Sequence, residues 1–296
     1  MLLPKSTFKT VSITFSITGM LILLCSTSFK PKDEWTLLLD KKLSKWETYQ
    51  SFRFTEGFGN KIPKDANGNN LKPVGYNVNE GNEFSIIMEN GDPTLKINGD
   101  LYGCIFTKQE FQNYDLKLKV KWGEKKWAPR LNEDKDSGLL YHSLGECGVE
   151  SWHTWMLSQE FQITENGMGD YWSQATSMAD IRAIKDEKYK FDNNGDKVAI
   201  GAGTGNGGFC KAGSNMEKKN DWNDIELITY GDKSLQIVNG VVVMALSNMR
   251  YKADGQVLPL NKGKLQLQAE ACEVYYKDIK IKQIDGIPAM YADYLK

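Results

Sequence analysis

Histidine is almost absent from this chain: His142 and His153 are the only two in 296 residues. No GxSxG elbow accompanies them, so a serine hydrolase built on a Ser–His–Asp relay has no support. The zinc signatures HExxH and paired CxxC are missing as well. Cysteine is sparse. Beyond Cys25, the four residues Cys104, Cys147, Cys210 and Cys272 lie far apart with no metal-ligand spacing, and disulfides among them stay open. Cys104 and Cys272 sit in apolar, strand-like runs where a small buried thiol serves as packing. Neither sign of charge dominates, since 37 Lys and Arg against 38 Asp and Glu leave a net charge of −1. Without a basic field to hold a phosphate backbone, nucleic acid is excluded as a partner.

Long apolar runs are lacking too, with one exception near the start. Val11 to Leu24 follows Lys5 and Lys9 and precedes Ser26, Thr27 and Ser28. The run is short for a membrane span, and its flanks read as an export signal over residues 1–28. Cys25 leaves a lipoprotein signal open, although Leu24 is larger than a lipoprotein peptidase prefers; a retained anchor is the other alternative. The expected destination is the periplasm, the cell envelope or the medium, with a lipid anchor as the only link to a membrane.

What is present points to strands. Aromatics make up 11% of the chain, and 27 glycines punctuate short alternating runs, a pattern of β-structure rather than helix. In YDLKLKVKW the residues Leu116, Leu118, Val120 and Trp122 fall on one face and Asp115, Lys117, Lys119 and Lys121 on the other, as in a half-buried antiparallel strand. Further strands are expected in EFSIIME, PTLKING, GCIFTKQ, GLLYHS, SQEFQITE, NDIELITY, SLQIVNGVVVMAL, GKLQLQAE and CEVYYKDIKIKQI. Residues 51–82 read as a long surface excursion and 192–223 as a Gly/Asn/Lys-rich loop. SMADIRAIKDEKYKF is expected to give one short helix or an irregular crossing. Many short strands with almost no helix predict an all-β, two-sheet antiparallel jelly-roll β-sandwich, with one domain over 33–287 and a C-terminal tail over 288–296.

Two motifs yield to plainer readings. GTGNGG (Gly203, Gly205, Gly208) matches a dinucleotide fingerprint, but FCKAGSN after it offers no helix to hold a pyrophosphate. DNNGD (Asp192 to Asp196) lacks the downstream Glu of a calcium loop and reads as a turn.

The window from Asp136 to Trp172 concentrates the chemistry. It holds both histidines and three of the eight tryptophans, Trp152, Trp155 and Trp172. In SQEFQITE, strand parity sends Phe161 and Ile163 to the core and Glu160, Gln162 and Thr164 to the other face. A Glu-x-Gln pair flanked by tryptophans suits a polar, ring-shaped ligand such as a sugar. In GLLYHS the same parity aligns Gly138, Leu140 and His142, making His142 a candidate proton carrier or metal ligand or a plain structural residue. His153, between two tryptophans, falls on a loop. GKLQLQAE repeats the pattern, with Leu265, Leu267 and Ala269 inward and Gln266, Gln268 and Glu270 outward. Glu160-x-Gln162 supplies one carboxylate where a retaining glycosidase needs two.

Taken in order, WTLLLDKKLSKWE, LYGCIFTKQEFQNYDLKLKVKWGEKKWAPR, KDSGLLYH, SQEFQITENGMGDYW, DWNDIELITYGD and KGKLQLQAEACEVYYKDIKI resemble the 3-keto-disaccharide hydrolase family of Bacteroidetes-type bacteria. The opening segment lacks that family's usual Asp-Gly. The resemblance implies a concanavalin A-like lectin/glucanase fold and cleavage of glycosides whose C3 hydroxyl has been oxidised to a ketone by a separate oxidoreductase. It implies Glu160 as acid or base, His142 as its partner, Gln162 as a positioning group, and Glu270 with Gln268 as further candidates. Trp152 and Trp155 would stack on the sugar beside His153 and Trp172, with Lys125, Arg130 and Asp136 on the rim. A divalent ion held by His142 and Glu160 is left open. Two rivals stand beside this reading: a non-catalytic carbohydrate-binding module, because fold does not decide function, and an ordinary retaining glycosidase.

Overall fold

The computed structural model describes residues 34–57 and 61–296; the expected export signal over 1–28, with Cys25, lies outside them. The described chain is a two-sheet antiparallel jelly-roll β-sandwich. The larger sheet runs in the order 189–191, 177–185, 241–253, 233–238, 223–230, 114–126, 272–283, 92–97 and 84–89. The smaller sheet runs 209–210, 171–174, 157–164, 136–144, 264–269, 103–107, 46–50 and 75–76.

The alternating strands close on one another as their pattern requires. Leu116, Leu118 and Val120 on the larger sheet meet Leu139, Phe161, Ile163, Leu265 and Leu267 from the smaller one in a single apolar layer. Each such side chain contributes about 1.5–3 kcal/mol by leaving water. Tyr291, Tyr294 and Leu295 of the terminal turn, Ala289–Leu295, pack partly buried against the same core. A second, smaller apolar cluster lies on the other side of the smaller sheet. There Leu140, Cys104 and Phe106 carry Tyr102, Phe54, Trp155 and Met156. This outer layer lifts two loop segments, 51–56 and 145–156, over the sheet that bears the cleft.

Three expectations are corrected. SMADIRAIKDEKYKF forms no helix; it is strand Ser177–Lys185 followed by strand Tyr189–Phe191. Its alternation is intact, with Ala179, Ile181 and Ala183 in the core, but two of these three are small alanines and charged residues follow closely, so the apolar period is weak in the sequence. The loop expected over 192–223 contains strands Asp196–Gly201 and Phe209–Cys210. SLQIVNGVVVMAL is two strands, Lys233–Val238 and Val241–Ala253, turning at Asn239-Gly240 with positive φ at both. The four described cysteines are free thiols, with Cys104 Sγ and Cys147 Sγ 3.8 Å apart.

Candidate functional site

Strand Asp136–Leu144 is the spine of the site, with Leu157–Thr164 on one side and Lys264–Ala269 on the other. On the face away from the core these strands line a cleft of about 280 Å³. Gly138 is its low point: a Cβ there would overlap Glu160 Oε1 from one neighbour and Gln268 Oε1 from the other. Only a residue without a side chain lets both reach the middle.

Three carboxyl groups and one cation share this cleft. Asp136, Glu160 and Glu270 are all buried. One guanidinium nitrogen, Arg130 Nη2, lies 2.8 Å from Asp136 Oδ2 and 2.7 Å from Glu270 Oε1. Arg130 Nη1 also reaches Glu133 on the rim at 3.1 Å. Gln162 donates from Nε2 to the other Asp136 oxygen, Oδ1. Glu160 has no cation; Gln174 Nε2 donates to its Oε2.

These surroundings pull the four groups apart. Burial, then the charges of Glu270 and Asp136, push the Glu160 carboxyl well above the usual carboxylate range, against the Gln174 hydrogen bond. Burial raises Glu270 too, opposed by the charge and hydrogen bond of Arg130. Asp136 is likewise raised by burial and by Glu270, with Arg130 opposing. Burial works against the Arg130 charge, but Glu270 and Asp136 outweigh it and hold the guanidinium protonated. One cation therefore serves two carboxyl groups, and the third has none.

Gln268 is fully buried, lines the cleft and leaves both its Oε1 and its Nε2 without a hydrogen-bond partner. Such a group costs stability unless something fills the site. A hydroxylated ligand in the cleft would satisfy it.

The aromatic wall is held by a residue the sequence did not single out. Glu150 accepts backbone N–H groups of Trp152 (2.6 Å), Thr154 (2.6 Å) and Trp155 (3.1 Å), knotting the turn that carries both tryptophans. Trp155 lines the base of the cleft but is only 2% exposed, its Nε1 tied to the Gly103 carbonyl. Expected as a stacking platform, it is instead a support. Trp152 and Trp172 give the accessible aromatic surface, and Trp172 is 41% exposed.

Three expected site residues lie elsewhere. His142 does not face the cleft, because the strand bulges between Tyr141 and Leu144 and His142 itself has φ +52°. The bulge reverses the parity and turns the imidazole into the sandwich. There Nδ1 meets the Leu260 carbonyl at 3.1 Å and the ring packs edge-on against Tyr114 and Tyr141. Burial lowers its pKa to about 4, so it is neutral and structural. His153 and Lys125 do not line the cleft either; Lys125 is exposed. The residues sequence reasoning missed are Gln174, Glu150 and the role of Gly138. The signal for Gln174 was its spacing of two from Trp172, which pairs with Glu160 across the strands.

A divalent ion on His142 and Glu160 does not fit this arrangement, since the two point to opposite faces of the sheet. Between Asp136 and Glu270 the place of a cation is taken by Arg130. Among the described residues no group of three or more His, Cys, Asp and Glu is arranged to hold a metal. The premise of a single carboxylate also falls. Along one strand Glu160 is alone, but the fold brings Asp136 and Glu270 to it from two others.

Comparison with known proteins agrees on the class. No curated protein matches the sequence. Among solved structures the chain is similar to a candidate glycosyl hydrolase of Parabacteroides distasonis, at 18% identity over 85% of this chain and 100% of that one, with a TM-score of 0.45. A second such protein from the same organism shows 16% identity over 85% and 94%, with a TM-score of 0.46. The β-glucanase of Bacillus licheniformis shows 9% identity over 85% and 97%, with a TM-score of 0.39. The sequence profile of the 3-keto-alpha-glucoside-1,2-lyase-like domain matches residues 34–282. The chain belongs to this carbohydrate-active, hydrolase-like family.

Proposed function

We propose that this member of the 3-keto-alpha-glucoside-1,2-lyase-like family cleaves glycosides whose sugar carries a ketone at C3. The observation that carries the reading is the division among Asp136, Glu160 and Glu270: two share Arg130, and Glu160 has no cation and takes only the Gln174 amide. Elimination next to a ketone needs such a division, a base at C2 and an acid at the leaving oxygen.

The steps follow from that arrangement. The ketone acidifies the hydrogen on C2. Glu270, paired with Arg130, takes this proton, and the electron pair of the C2–H bond moves into the enolate at C3. Gln268 Nε2 is an unused donor for the enolate oxygen, and the Arg130 charge adds to its stabilisation. The enolate collapses to form C1=C2 and break the bond from C1 to the glycosidic oxygen. Glu160, neutral in this cleft, gives that oxygen its proton. Water then adds at C1, giving its proton to Glu160, while C2 regains a proton from Glu270, so both groups are restored and the net result is hydrolysis. Trp152 and Trp172 would hold the ring over Gly138. The substrate would come from an oxidoreductase acting on the C3 hydroxyl, and the reaction would take place outside the cytoplasm.

A second reading, an ordinary retaining glycosidase, gains from the same cluster, because the second carboxylate it needs is now present. The test incubates purified protein with a 3-keto-glycoside and its unoxidised parent. Release of the leaving group from the keto compound alone, slowed by deuterium at C2, is the expected result. Release from the parent would favour the ordinary glycosidase, and binding without turnover would leave a carbohydrate-binding protein.

A further inference from the structure

We infer that Cys104 and Cys147 form a redox modification site, and that a disulfide between them fastens the loop carrying the aromatic wall of the cleft. That the fastening bears on turnover rests on the cleft being the substrate site; the fastening itself does not.

The loop 145–156 leaves strand Asp136–Leu144 and returns into Leu157–Thr164. Its far part closes on itself. The N–H groups of Gly148 and Val149 both donate to the Trp155 carbonyl, at 3.0 and 3.2 Å, and Glu150 holds the turn between them. The returning limb has two firm anchors: Trp155 Nε1 on the Gly103 carbonyl at 3.0 Å, and the Thr154 hydroxyl on that of Ser51 at 2.7 Å. The entering limb, 145–149, is held more lightly. There the Tyr76 hydroxyl accepts the Cys147 N–H at 2.8 Å and donates to Glu146 at 2.6 Å. Tyr76 is 42% exposed and lies on a two-residue edge strand, Gly75–Tyr76, so water competes for both bonds.

Cys104 stands beside this lighter limb, next to Gly103 on strand Gly103–Thr107. Its Sγ is 3.8 Å from that of Cys147. A disulfide needs about 2.05 Å, and the place of Cys147 on a loop lets it close the difference. Burial sets the order of events. Cys104 is fully buried, which pushes its thiol up, whereas Cys147 is half-buried and meets an incoming disulfide first. The Cys147 thiolate attacks one sulfur of that disulfide, forming a mixed disulfide and releasing the other sulfur as a thiolate. Cys104 then gives up its proton and attacks Cys147 Sγ, releasing the second thiolate. Two protein thiols are oxidised, and one external disulfide is reduced to two thiols.

The new bond ties both limbs to one strand, the entering limb through Cys104 and the returning limb through Gly103. Trp152 lies between these ties and lines the cleft. Its freedom is then reduced before a ligand arrives, so less ordering opposes binding.

The experiment compares the wild type, Cys147→Ser and Cys104→Ala after dithiothreitol and after oxidised glutathione. Amide hydrogen exchange over 145–156 is read by mass spectrometry, and KM is measured with a 3-keto-glycoside. Oxidation of the wild type is expected to slow exchange of this loop about 10-fold. KM should fall about 2- to 5-fold, with kcat changed less than about twofold. Oxidation should move neither quantity in Cys147→Ser, and Cys104→Ala should stop at a glutathione adduct on Cys147 without the slower exchange. A wild type that also stops at the adduct, or that closes the disulfide with exchange unchanged, overturns the inference. Slower exchange with KM unmoved does so too, because the tether then does not reach the cleft. Cys147 is not fully buried, so its variant reads out even if Cys104→Ala misfolds. Should the wild type turn over no 3-keto-glycoside, the proposed reaction fails by itself, and exchange at Trp152 decides the tether alone.

Discussion

Glu160 and Gln268, on strands that flank Asp136–Leu144 from opposite sides, both extend a side-chain oxygen into the space that a Cβ on Gly138 would fill. The acid of the cleft and its unpartnered amide are therefore placed by the absence of a methyl group between them. Gly138→Ala should displace both ends, at a stability cost of about 1–3 kcal/mol for the overpacking. Turnover should fall at least ~10-fold, because small misplacements of reacting groups are costly. Steady-state kinetics and a thermal melt on the same preparation check this; unaltered kinetics would show that the two side chains do not act together.

Glu160 works as a proton donor only while neutral. Burial and its acidic neighbours raise its pKa, so turnover should decline as pH rises through that raised value. Glu160→Gln should lower kcat by ~10²-fold or more and remove the alkaline limb. A pH–rate profile that keeps its limb in the variant would move the acid role to another residue.

Arg130 is the one cation between Asp136 and Glu270. Replacing it with Met leaves two buried carboxylates unpaired, which should cost about 3–5 kcal/mol at neutral pH. The deficit should shrink in acid, where both carboxyls protonate. Urea unfolding of the two proteins at neutral and acidic pH measures the difference, and a pH-independent deficit would argue that Arg130 acts through packing alone.

Glu83 gives a pH signature of its own outside the cleft lining. It is 1% exposed, accepts the Leu101 N–H at 3.1 Å and that of Gly99, and burial raises its pKa from 4.5 to about 7. A folded-state value above the unfolded one means that the native protein holds the proton more tightly. The favourable contribution is then complete below pH 4.5 and is lost as pH rises to about 7, by up to ~3 kcal/mol. Unfolding free energies across this window should fall more steeply in the wild type than in Glu83→Gln.

The thiols of Cys104 and Cys147, 3.8 Å apart, should be the pair that oxidised glutathione joins. Two protein thiols are oxidised to one disulfide as the glutathione disulfide is reduced to two thiols. Peptide mapping by mass spectrometry should find Cys104 linked to Cys147, with Cys210 and Cys272 unlinked.

Much of the fold was legible because a strand buried on one face writes its period into the chain. Leu116, Leu118 and Val120 could be placed in the core from alternation alone, as could Phe161 with Ile163 and Leu265 with Leu267. Alternation fails where the backbone bulges. The bulge at His142 turned a candidate site residue into the core. It is a single-residue slip, and parity carries no memory across it.

The sequence by itself determined which residues each strand offers to its two faces, and so the sandwich, the inward Phe161 and the outward Glu160, Gln162, Gln268 and Glu270. Only the tertiary structure decided which offers meet. Asp136, Glu160 and Glu270 are separated by more than a hundred residues from first to last, yet Arg130 touches two of them and the charges of those two act on Glu160. A pKa depends on distance and burial rather than on sequence separation. Whether Glu160 stands as a lone carboxyl group or as one of a cluster was therefore settled by strand order and by the empty place at Gly138.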